Sequence, residues 1–230
     1  MANRGKRGQF IIIAVMLVAL MIVSMGALMH NAITYYKHEP WEEYSTLIGD
    51  IEINSRKLVE LSLASYTNSI GSITIIETNL AKWEEDLVDA YPNRGVTLAS
   101  SGAQMLNSSQ SSTNTATSNA QASFTLNILS IGLEGYTFNV LTSLTLSIKS
   151  VTTVDSNMTQ VIAVVTSETG MPVTDLGETN FKVENATKVA VSAAYDSASV
   201  LEYGILHNGP ANATIEVCDQ RGISVVVSQM

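Results

Sequence analysis

ASSGAQMLNSSQSSTNTATSNAQAS, residues 99–123, holds no charged residue and few large apolar ones. How it is read decides where one domain ends and the next begins. A composition this rich in Ser, Thr and Asn offers little to bury against the entropy of ordering the chain. It therefore reads as a flexible linker over 96–123, with a surface loop inside one continuous domain as the alternative. The 230-residue chain around it suits one large domain or two small ones.

C-terminal to this stretch the pattern becomes period two. In Thr145–Val151, Leu146 and Ile148 share one parity with polar residues between them. Val161–Thr166, Phe181–Glu184, Val189–Tyr195, Thr214–Val217 and Ile223–Val227 are further short β-prone runs. Turns at Asp155–Asn157, Thr169–Pro172, His207–Pro210 and Asp219–Gly222 separate them. The expectation is an antiparallel β-sandwich over 124–230. Gly170-Met-Pro-Val-Thr-Asp-Leu176, Asn180-Phe-Lys-Val183 and the closing Glu216–Val225 resemble immunoglobulin-like domains of microbial surface proteins. That resemblance implies a fold and not an activity.

N-terminal to it the period changes to that of helices. Trp41, Tyr44, Ile48, Ile51 and Leu58, with Leu47 and Leu61 beside them, mark one amphipathic helix after Pro40. Residues 66–72 read as a turn. Ile76, Leu80, Trp83, Leu87 and Tyr91 mark a second helix, ended by Pro92-Asn-Arg-Gly95. The pair predicts a helical hairpin, an extracellular neck over 30–95. Ser55, Ser62 and Ser65 interrupt the first stripe, which argues against a long coiled coil.

Residues 10–29 carry no charge, and Arg4, Lys6 and Arg7 precede them. Twenty helical residues span about 30 Å, the thickness of a bilayer's hydrocarbon core. The positive-inside tendency places a basic leader, 1–9, in the cytoplasm and the rest of the chain outside. A cleaved secretory signal ending near Ser24-Met25-Gly26 is the competitor, but the apolar run continues through Met29. A buried helix of a cytosolic protein fits poorly with so one-sided a charge distribution. Tyr35, Tyr36 and Trp41 read as interfacial anchors, and His30 and His38 as residues flanking the membrane boundary.

Lys6-Arg7-Gly8-Gln9 abutting the apolar run resembles the class III signal of archaeal type IV pilin-like proteins. The resemblance covers about the first 30 residues. It implies a prepilin-type peptidase as partner, cutting between Gly8 and Gln9 and leaving the helix attached. Many such pilins carry a glutamate early in the mature helix. Here the stretch is Phe10-Ile-Ile-Ile13, which favours an anchor over a filament subunit.

The fold class expected is thus α+β: a transmembrane helix and helical hairpin, then an immunoglobulin-like antiparallel sandwich. The net charge is −9, and Arg4, Lys6 and Arg7 precede the apolar run, so the rest of the chain carries −12. An acidic body excludes nucleic acid binding by phosphate neutralisation. Four N-x-S/T sequons, at Asn107, Asn157, Asn185 and Asn212, are candidate N-glycosylation sites on the expected external side. Cys218, the single cysteine, permits no intrachain disulfide and reads as a small strand residue. No zinc spacing, phosphate loop or nucleophile elbow is present. Asp155, Asp175, Glu178 and Asp219 read as solvated turn residues and not as a calcium loop. No catalytic, cofactor or metal residue is expected. The function expected is a non-enzymatic surface protein at the cell membrane, pilin-like or associated with a surface filament through self-assembly. The alternative is a ligand-binding receptor or accessory subunit of a surface complex.

Overall fold

Beneath the serine-rich surface of residues 96–128 lies a strict alternation that composition hides. Ala116, Ser118, Ala120, Ala122, Phe124, Leu126 and Ile128 are buried, and the residues between them face outward. In the computed structural model the expected linker is two long strands, β1 (Val96–Gln110) and β2 (Thr115–Ile128), paired antiparallel. The linker reading is corrected for a physical reason. The inward row is made of small residues, which pack well under a covering layer yet register weakly as hydrophobic. The outward row satisfies itself across strands, as in Thr117 Oγ1 to Thr145 Oγ1 at 3.0 Å and Gln121 Nε2 to Gln104 Oε1 at 3.3 Å.

The structure describes residues 15–30, 40–68, 72–110 and 114–228. Two compact units divide the chain at Ile51 and Glu52. In the first, residues 15–30 form helix α1, and every one of them is exposed. Among the described residues no helix is long and apolar enough to cross a membrane. The expected span over 10–29 begins outside the described residues. So do Tyr35, Tyr36 and His38, along with the Trp41 side chain.

The second unit is α+β and antiparallel throughout. After α2 (Pro40–Asn68), α3 (Ile75–Ala90), β1 and β2 come β3 (Leu133–Asp155), β4 (Met158–Ser167), β5 (Phe181–Glu184), β6 (Thr187–Tyr195), β7 (Leu201–Asn208), β8 (Thr214–Cys218) and β9 (Ser224–Ser228). Six strands make one sheet in the order β1-β2-β3-β4-β7-β6, and three make a second, β5-β8-β9. Strand β9 packs on β1, β2 and β3, so the small sheet covers part of the large one. This six-plus-three arrangement starts at Val96, not residue 124. It differs from the four-plus-three sheets of an immunoglobulin-like domain, because β1 to β4 run as one uninterrupted meander.

Helix α3 packs on the large sheet at its β1 edge. Ile76, Leu80 and Leu87 of α3 are buried. From Glu52 onward α2 belongs to the same unit, so the helices there are not a separate neck. The expected stripe is also rotated: Leu61 is 62% exposed, whereas Ser55, Val59, Ser62 and Leu63 are buried. The serines that break the stripe are its anchors. Trp83 Nε1 donates to Ser55 Oγ at 3.1 Å, and Asn79 Nδ2 donates to Ser62 Oγ at 2.9 Å. These two bonds fix α2 and α3 as an antiparallel pair. At its C-terminal end α2 is tied to β9: Ser224 N donates to Thr67 Oγ1 at 3.1 Å and Ser224 Oγ to Asn68 Oδ1 at 2.9 Å. Ser118 Oγ of β2 donates to the Ser224 carbonyl at 2.8 Å.

Candidate functional site

The sheet topology gathers three of the four sequons. Asp155 pairs with Met158 across the β3–β4 turn, Met158 with Asn208, and Asn208 with Thr187. Asn157, Asn185 and Asn212 therefore sit in neighbouring turns at one end of the unit, and all three are exposed. The close approach is visible at Gly209, whose N–H donates to the Asn157 carbonyl at 3.1 Å. A Cβ on Gly209 would lie 2.7 Å from the Ala186 Cβ, and its φ of 149° favours glycine as well. Asn185 takes the left-handed conformation, with φ 62°, that a tight turn requires and asparagine tolerates. Asn107 stands apart on β1. Its register partner Ser118 pairs with Leu144, well short of Asp155 on β3, and its Oδ1 accepts from Ser118 Oγ at 3.2 Å.

The sequon hydroxyls differ. Thr187 is exposed, but Thr159 is 2% exposed and its Oγ1 points to the Gly209 carbonyl at 3.4 Å. A transferase needs that hydroxyl beside the amide. Asn157 is therefore available only before β4 is in place, whereas Asn185 remains available in the folded chain.

At the opposite end, Glu52 on α2 accepts a hydrogen bond from the Tyr136 hydroxyl. From Tyr136 to Asp155, β3 covers roughly 60 Å at the usual rise per residue. Within the second unit, then, the chain comes in at one end and the sequon turns lie at the other.

A second cluster escaped the sequence reading. Asp219, expected to be a solvated turn residue, is 6% exposed. Its Oδ1 accepts from the N–H groups of Arg221 and Ile223 at 3.0 and 2.9 Å, and its Oδ2 from Arg221 Nε at 2.7 Å. The guanidinium continues to Glu168 Oε2 and Thr142 Oγ1, each at 3.0 Å, and to the Ser143 carbonyl at 3.0 Å. Arg221 thus joins the β8–β9 turn to β3 and to the end of β4. Burial would raise the Glu168 carboxyl, but backbone N–H groups and Arg221 outweigh it and hold it below its ordinary value. On α2, burial lifts the Glu60 carboxyl above its ordinary value, with Arg221 pulling it down and Glu168 pushing it up. The signal was in the sequence, since Arg221 is the lone arginine after Arg94. With four of its donors spent inside the chain, Arg221 is a structural clasp and not a free anion clamp.

The remaining candidates do not assemble into chemistry. His207, expected in a turn, lies inside β7 with no exposed surface, and neither ring nitrogen has a hydrogen-bond partner among the described residues. Burial lowers its pKa below 6.5. Cys218 ends β8 half-buried as a free thiol. Asp155 and Glu178 are exposed, and no group of three His, Cys, Asp or Glu able to hold a metal occurs among the described residues. A cavity of about 360 Å³ lies beside Asp175, Asp219 and Arg221. A hollow of about 480 Å³ lies where α3 begins, lined by Ile73, Glu77, Gln104, Leu106 and Asn119. Gly8 and Gln9 lie outside the described residues. No family model matches the chain, and no curated protein or solved structure proved similar to it.

Proposed function

We propose that the chain is a non-enzymatic surface protein, held at a membrane by its N-terminal apolar helix and displaying the α+β unit outside the cell. The observation that carries this reading is the state of residues 15–30. They are helical, they carry no Asp, Glu, Lys or Arg, and their large apolar side chains from Val15 to Met29 are 58–72% exposed. An apolar surface of that extent is covered in a working protein, by lipid or by other copies. In the sequence the uncharged run extends back to Gly8, behind three cations, which suits lipid insertion with those cations on the cytoplasmic side.

The end-to-end separation within the second unit supports display. The sequon turns lie at the end of that unit away from Glu52, where Asn185 is exposed to an external oligosaccharide transferase. The finer reading is processing between Gly8 and Gln9 by a prepilin-type peptidase and incorporation into a surface filament. Mass spectrometry of the mature N-terminus tests the processing, and a chain retaining Met1 refutes it. Flotation of the full chain with vesicles tests the anchor. Recovery with lipid supports it, and a chain that stays dispersed at the bottom of the gradient refutes it.

A further inference from the structure

Once the strands are paired, the sequons are no longer equivalent. Asn107 to Ser109 lie within β1 and pair with Ser118 to Ala116 of β2, so they offer no loop to a transferase. Asn157 depends on the buried Thr159 hydroxyl. Asn212 is followed by Ala213, which has no exposed surface, and by Thr214, which pairs with Glu184 on one side and Ser228 on the other. The Thr214 Oγ1 also lies 3.2 Å from Ser228 Oγ. Asn185-Ala-Thr187 differs from these three. Asn185 and Thr187 are both exposed, and Thr187 pairs on one side only, with Asn208.

Asn185 also sits beside a strand that lacks a cover. Its turn joins β5 to β6, the end strands of the two sheets. Strand β5 carries alternating charges, Lys182 and Glu184, and its Phe181 carbonyl accepts from Lys188 Nζ at 2.9 Å. At the other edge of the large sheet, the Ser100 N–H of β1 donates to a Glu84 carboxylate oxygen of α3 at 2.6 Å. Strand β6 has no such protection. It contains no proline, its one charge is Lys188, and among the described residues it pairs with β7 alone. Ala190, Ala193 and Ala194 are exposed, and Tyr195 is 65% exposed. Natural edge strands are normally blunted by charge, proline, bulges or a cover. The bulge between Lys188 and Ala190 blunts only the start of this one.

We infer that Asn185 carries an N-linked oligosaccharide in the folded protein, and that this glycan is the cover of the β6 edge. The inference rests on the reading that the α+β unit is displayed outside the cell. In the transfer, Asn185 Nδ2 bonds to the anomeric carbon of a lipid-linked oligosaccharide as the bond from that carbon to the lipid's phosphate oxygen breaks. The amide gives up one proton, and the lipid phosphate leaves. The attached glycan is bulky, hydrated and solubilising. Only Ala186 separates its anchor from the first residue of β6, and Thr187 to Ser192 span about 17 Å at the usual rise. A glycan held there fills the space that an added strand would need, and it brings no backbone of its own to pair.

The test uses the full chain, purified in detergent micelles from a host without the transferase. It is treated with a single-subunit oligosaccharyltransferase and a lipid-linked oligosaccharide. Glycopeptide mass spectrometry should show Asn185 modified at least tenfold faster than Asn107, Asn157 or Asn212. By light scattering the modified chain should self-associate at least fivefold more slowly than the unmodified one. Ala190→Lys with Ala194→Lys blunts the edge by charge. On that background the glycan should slow self-association less than twofold. Should the double variant fail to fold, Ala194→Lys alone carries the comparison. Modification at Asn185 no faster than at the other three, or a glycan that slows both chains equally, overturns the inference. The purified reaction does not pass through export. In a host with the transferase, four empty sequons would count against display, whereas occupancy at Asn157 or Asn212 with Asn185 empty would overturn this inference.

Discussion

Helix α1 and the β1–β2 hairpin invert what their compositions suggest. Residues 15–30 are strongly apolar and exposed. Residues 96–128 are rich in Ser, Thr and Asn, yet they place seven residues of β2 in a core. What separates them is the presence of a covering layer. The hairpin's small inward residues meet β9, and α3 packs on β1. The apolar residues of α1 have no such cover among the described residues. Burial follows from complementary surfaces in register, and hydrophobicity alone does not secure it.

The comparison breaks most sharply in α1. Leu20→Asp with Val23→Asp should abolish lipid association. Each charge at mid-bilayer costs about 2.5–3.5 kcal/mol on insertion scales. The urea midpoint of the α+β unit should not move, and a lowered midpoint would mean that α1 is part of its core.

Arg221→Met should do the reverse. It strands Asp219 and Glu168 without their cation and should cost about 3–5 kcal/mol in urea unfolding while flotation is unchanged. Arg221→Lys should recover only part of this, because an ammonium cannot hold Asp219, Glu168, Thr142 and the Ser143 carbonyl at once.

Ser118→Ala asks whether the polar hairpin is truly core. It removes the bond to the Ser224 carbonyl inside the unit and should cost about 1–2 kcal/mol. A neutral result would return the hairpin to the status of a surface appendage.

The smallest effect is a pH dependence at His207. Its folded pKa is depressed, so near pH 6.5 the unfolded chain takes up a proton that the folded chain refuses. Stability should therefore be full above about pH 6.5 and fall as pH drops below it, until the folded pKa is passed. His207→Leu should flatten that limb of the urea-midpoint profile. An unchanged slope would assign it to carboxylates instead.

Much of the secondary structure was legible wherever large apolar residues carried the period. Both helices, the Asp155–Asn157 and Asp219–Gly222 turns, and strands β5 and β8 lie where alternation or helical spacing puts them. Strand β7 has no counterpart in the sequence reading because His207, taken as the start of a turn, occupies an inward strand position. A Cβ on Gly204 of that strand would come 2.8 Å from Ser192 Oγ, so a larger residue would turn that hydroxyl away. Leu61 was placed on the buried stripe because serines were counted as polar. Ser55 and Ser62 outcompete it by accepting from Trp83 and Asn79. The clustering of Asn157, Asn185 and Asn212, like the Arg221 clasp, depends on which turns the strand order brings together. No local pattern encodes that order.

The central claim is that α1 completes itself in lipid while the α+β unit stands outside. Protease treatment of sealed inside-out and right-side-out vesicles carrying the full chain tests it most directly. The account predicts a protein that floats with the vesicles, with its sequon turns cleavable or glycan-bearing only on the external side. A chain released intact by alkaline carbonate, with the α+β unit equally accessible in both orientations, would contradict it.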